Sequence, residues 1–75
     1  MHPLDVLLAH IAASAIPGVI TIQRYEEGAV VLVVTHSHED GGLSWRSRPL
    51  TQREHVAARK DLVARATAAG AGLMG

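Results

Sequence analysis

With 75 residues and no cysteine, the chain has room for one hydrophobic core and no covalent staple to hold it, which excludes a multidomain enzyme and a disulfide scaffold. A formal net charge of zero argues against a general polyanion-binding surface, although the charges are segregated along the chain. Residues 1–45 carry Asp5, Glu26, Glu27, Glu39 and Asp40 against Arg24, giving −4; residues 46–75 carry Arg46, Arg48, Arg53, Arg59, Lys60 and Arg65 against Glu54 and Asp61, giving +4.

In chain order, Pro3 suits the first position of a helix and Asp5 its positive end. Leu4, Leu7, Leu8, Ile11, Ala12 and Ala15 follow at helical spacing, so a helix is expected from Pro3 to Ala15. Pro17-Gly18 stops it, and the β-branched run Val19 to Tyr25 reads as a strand. Glu26-Glu27-Gly28 is the signature of a type I turn with a G1 bulge, leading at once into a second strand from Ala29 to Thr35. That strand is apolar on both alternating sets, Val31 and Val33 on one side and Val30, Leu32 and Val34 on the other, as in a strand covered on both faces. Asp40-Gly41 marks a tight turn, and the alternation from Leu43 to Arg48 predicts a third antiparallel strand. Thr51-Gln52-Arg53-Glu54 matches a capping box that opens a second helix, with Val56, Leu62, Val63 and Ala66 as its apolar face and Gly70 as its stop. The tail, residues 71–75, is expected to fray. The expected fold is a single small α+β domain spanning residues 1–75, in α-β-β-β-α order, with a three-stranded antiparallel sheet and two flanking helices.

The opening Met1-His2-Pro3-Leu4-Asp5 has no basic n-region of a signal peptide, and the stretch Val6 to Gln23 is interrupted by His10, Ser14, Pro17 and Gly18. A cytoplasmic protein without a membrane span is therefore expected. A domain of this size buries only about 60% of the surface its unfolded chain exposes, so self-association is a favoured route to stability. If both helices cover one sheet face, a second apolar row looks outward and calls for a partner. A homodimer packed face to face is expected, with Val30, Leu32 and Val34 flanked by Ile20, Ile22 and Trp45 as the interface, and Trp45 with Arg46 and Arg48 as an anchor for a protein partner.

Two other chemistries have local support. His36-Ser37-His38-Glu39-Asp40 at a strand end places two imidazoles and a carboxylate, His36, His38 and Asp40, in reach of one zinc ion. The stretch from Val33 to Leu43 is similar to the metal-binding loop of the metallo-β-lactamase fold, although Gly41 stands where that family has a further histidine, and the chain is less than half the length its sandwich needs. Arg46, Arg48, Arg53, Arg59 and Lys60 form a basic segment beside the stacking ring of Trp45, which suits phosphates and bases. The element order resembles that of the double-stranded RNA-binding domain in topology alone. Gln52, Arg53, Glu54 and His55 stand where that family has its lysine cluster, and Glu26-Glu27 occupies the loop that should meet phosphate. No Gly-x-Ser-x-Gly elbow, Walker loop, GxGxxG or HExxH element occurs, so neither an enzyme nor a cofactor is expected. The expected function is a non-enzymatic interaction or assembly module, with nucleic-acid binding and histidine metal binding as alternatives.

Overall fold

A helix of 11 residues, α1 (Pro3–Ala13), opens the chain, and its first turn is capped by an imidazole: the Leu4 N–H donates to His2 Nδ1 at 3.1 Å. In the computed structural model, which describes residues 2–36 and 42–73, the remaining elements are β1 (Gly18–Arg24), β2 (Val30–His36), β3 (Leu43–Arg46), α2 (Gln52–Ala69) and β4 (Ala71–Leu73). The molecule is a small α+β domain of two helices and a four-stranded mixed sheet in the order β3-β2-β1-β4. β1 and β3 flank β2 antiparallel, whereas β4 joins the free edge of β1 in parallel, with Gly18 beside Ala71 and Ile20 beside Leu73. This corrects two expectations: the sheet is neither three-stranded nor purely antiparallel, and residues 71–73 of the expected fraying tail are a strand. Met74 and Gly75 lie outside the described residues.

Local chemistry accounts for most boundaries. The β1–β2 turn closes with Tyr25 N–H donating to the Ala29 carbonyl at 2.9 Å, and Gly28 takes φ 84°, which a side chain would resist. The third strand is shorter than expected. From Val33 to Val30 on β2 the count is three residues, while the facing chain from Arg46 to Leu50 takes four, so one extra residue is accommodated as in a β-bulge. Ser47 mends the gap: its N–H donates to the Leu32 carbonyl at 2.8 Å and its hydroxyl accepts from the Leu32 N–H at 3.0 Å. Leu50 then exchanges both backbone bonds with Val30, at 2.8 and 2.9 Å, and its side chain is buried in the core.

The Thr51–Glu54 capping box forms as its sequence implies, with the Glu54 N–H on Thr51 Oγ1 at 3.1 Å and the Thr51 N–H on Glu54 Oε1 at 3.0 Å. Arg48 adds its guanidinium to Glu54 at 2.7 Å, and these bonds, the one from Arg48 first and the Thr51 backbone N–H next, pull the Glu54 carboxyl from its ordinary 4.5 down to about 2. A depressed carboxyl stabilises the fold fully above its unfolded value and loses that contribution as pH falls through its folded value. Acid unfolding between pH 4.5 and about 2 is therefore expected to be shallower for Glu54→Gln than for the native chain, as followed by circular dichroism; identical slopes would remove Glu54 from the acid response.

Both helices lie on one face of the sheet. Leu4, Leu7, Leu8 and Ile11 of α1 and Leu62 and Ala66 of α2 share one buried cluster with Ile20, Val30, Leu32, Val34, Leu50 and Ala71, and Ile22 and Trp45 pack against it. The row Ile20, Ile22, Val30, Leu32, Val34 and Trp45, expected as the self-interface, is therefore the helix-covered row. This is a correction with a simple cause: both alternating sets of β2 are apolar, and the helices take the set that continues into Ile20 and Leu50. An ion pair from Arg65 to Asp5 ties α2 to the first turn of α1, and Arg65 also pairs within α2 with Asp61 at 3.9 Å.

Candidate functional site

The face of the sheet opposite the helices is where an unfilled requirement remains. Side chains alternate across a strand, so the register puts Val19, Thr21 and Gln23 of β1, Val31, Val33 and Thr35 of β2, and Ser44 and Arg46 of β3 on that side. Val31 and Val33 keep only 5% and 6% of their surface exposed although no helix lies over them. The reason is a polar chain laid across the sheet. Arg46 Nη2 donates to Gln23 Oε1 at 2.7 Å and to the Tyr25 hydroxyl at 3.1 Å, and that hydroxyl donates to the same Gln23 oxygen at 3.2 Å. Gln23 stands two strands away from Arg46, roughly 10 Å at ordinary strand spacing, so the aliphatic stem of Arg46 must cross β2 above the valines. That strap shelters Val31 and Val33 and leaves half-buried Val19, Thr21 and Thr35 as a flat patch of β-branched side chains beside it.

Trp45 points the other way. Half-buried against the core, its ring lies 6.3 Å from that of His2, tilted by 54°. Leu4, Leu32, Leu50 and Leu62 floor the cleft of about 510 Å³ beside it, and Arg48, Asp61 and Arg65 stand at its rim. The rim charges are spent on one another and on neighbours, Arg48 on Glu54 and Arg65 on Asp5 and Asp61. Trp45 and Arg46 thus serve opposite faces and do not form one anchor.

The other expected site residues are likewise separated. The five cations grouped as a nucleic-acid surface divide between the open face, where Arg46 is bonded to neutral partners, and the helix side, where Arg59 and Lys60 border a groove on α2; Arg48 is held by Glu54, and Arg53 is exposed in the first turn of α2. His36 is buried, and its Nε2–H donates to the Ile16 carbonyl at 3.1 Å, stapling the α1–β1 loop to the end of β2. His38 and Asp40 lie outside the described residues, and among the described residues no cluster of three His, Cys, Asp or Glu side chains converges on a metal position. His55, also buried, donates its Nδ1–H to the Gln52 carbonyl at 2.9 Å inside the first turn of α2. No helix among the described residues is long and apolar enough to cross a membrane.

The strap from Arg46 was not foreseen, and its signal was Arg46 itself, alternating with Trp45 on a strand that must pair with Val33. The chain matches no family model, no curated protein and no solved structure with which it was compared.

Proposed function

We propose that the protein is a non-catalytic interaction module that pairs with a second copy of itself through the open face of its sheet. The observation that carries this reading is the half-buried patch Val19, Thr21 and Thr35 on a face no helix covers, while both helices are spent on the opposite row. Flat, β-branched surfaces of this kind pack well against each other, and a two-fold axis brings each patch onto its own copy. The scale fits a weak, reversible dimer: strands of 7, 7, 4 and 3 residues, at about 3.3 Å per residue and about 4.8 Å spacing, give roughly 330 Å² per copy, well below the standard interface of about 800 Å² per partner. A small face of this kind is expected to associate weakly and in proportion to concentration. Light scattering across a concentration series is expected to rise from 7.9 kDa toward twice that mass, and Thr21→Lys, which places a charge at the centre of the half-buried patch, is expected to hold the protein monomeric and folded. A native protein that stays at the monomer mass throughout the series would refute self-pairing.

A further inference from the structure

On the helix side of the sheet, α2 and β4 enclose a second surface that differs in chemistry from the open face. β4 is an edge strand, paired with β1 along one side only, so among the described residues the backbone groups on its outer side have no ladder partner. Leu73 stands in register with Ile20 and therefore projects to the helix side, where it remains 40% exposed. Across from it α2 presents Val56, at 63% one of the most exposed large apolar side chains of the described residues, and half-buried Val63 about two turns further on. Together with Arg59 and Lys60 these residues line a groove of about 410 Å³ between the helix and the strand edge.

The charge on this groove has one sign. The acids of α2 are engaged elsewhere, Glu54 with Arg48 and Asp61 with Arg65, and among the described residues no carboxylate pairs with Arg59 or Lys60. Among the described residues no carboxylate lines the groove either. An apolar floor, a rim of two cations and an open strand edge alongside are the three elements by which a fold captures an extended peptide: backbone bonds to the edge supply affinity, and alternate side chains entering a groove supply choice. We propose that the α2–β4 groove binds an extended acidic segment of another protein, which adds to the edge of β4 as a further strand, seats an aliphatic side chain between Val56, Val63 and Leu73, and sets its carboxylates against Arg59 and Lys60. The groove is on the far side of the sheet from the open face, so this binding does not depend on self-pairing.

The test uses an acetylated, amidated heptapeptide alternating glutamate with valine and leucine, titrated into isotopically labelled full-length protein. Amide shifts are expected to concentrate at Val56, Lys60, Val63, Gly72 and Leu73, and binding is expected to weaken with added salt. Paired charge reversal, Arg59→Glu with Lys60→Glu, is expected to weaken binding about tenfold or more. So is Val56→Lys, which alters an exposed side chain and keeps a second route open should the double variant fail to fold. Backbone N-methylation of the same peptide is expected to abolish binding by removing its donors to β4. Equal binding of a version with lysine for glutamate, unchanged binding after N-methylation, or shifts confined to other surfaces would each overturn the proposal. Groove shifts that grow with protein concentration alone would assign the groove to a second copy, and binding of phosphatidylserine vesicles in place of the peptide would assign it to a membrane; both outcomes overturn it as well.

Discussion

Leu32→Ala is expected to lower the unfolding free energy by about 2–5 kcal/mol, and Val33→Thr, one residue along the same strand, by about 1 kcal/mol or less. Leu32 is 2% exposed and sits in the cluster shared by both helices and the sheet, so truncation leaves a cavity lined by groups that cannot collapse together. Val33 is almost as sequestered, yet what covers it is the stem of Arg46, and a hydroxyl introduced there has solvent within reach. Domains of this length hold about 0.05–0.15 kcal/mol per residue, so the first loss is a large part of the total and the second is minor. Urea unfolding of the two variants decides it: equal costs would mean that the two faces of β2 have been assigned the wrong way round.

Gly18→Ala should cost about 1–3 kcal/mol through overpacking, and most of that loss should disappear when Ile11 is shortened to valine. A Cβ at position 18 would stand 2.6 Å from Ile11 Cδ1 and 3.3 Å from the Ala71 Cβ, in the seam where α1 crosses the β1–β4 pair. Ile11→Val removes the nearer of those atoms and by itself costs about 0.5–1.5 kcal/mol. The double variant should therefore be more stable than the sum of the single losses predicts, because the two changes share one contact. Thermal unfolding of all four chains measures this coupling, and strict additivity would show that Gly18 is retained for some reason other than the passage of Ile11.

How far the sequence speaks for the fold depends on whether each decision is local. Pro3, the Pro17-Gly18 break, the Gly28 turn, the Thr51–Glu54 capping box and Gly70, with φ 111°, are local signals, and each stands at or beside an observed boundary. α1 ends at Ala13, before the expected Ala15, because Ser14 leaves the helix and its hydroxyl accepts the Ile16 N–H at 3.0 Å. β4 has no local signal: Ala71-Gly72-Leu73 shows neither alternation nor β-branching, and only the distant edge of β1 makes it a strand. The identity of the covered face is also non-local. Val31 and Val33 look as apolar as Leu32 and Val34 until the register adds their neighbours. One row then continues into Ile20, Ile22 and Trp45, the other into Thr21, Gln23, Ser44 and Arg46. Of the proposed surfaces, the cations Arg59 and Lys60 were visible in the sequence, but their meeting with Leu73 depends on the strand that was not.

The parallel union of β4 with β1 carries a consequence for the order of events during synthesis. Gly18 emerges early and Ala71 late, yet they are neighbours in the finished sheet, so the outer edge of β1 stays unclaimed while β2, β3 and α2 are being made. Contacts separated this widely along a chain form late, after the cost of closing the intervening loop has been met. Through that interval the nascent domain offers other chains the kind of unpaired border on which strand exchange begins, and the arrival of Ala71–Leu73 is what withdraws the offer.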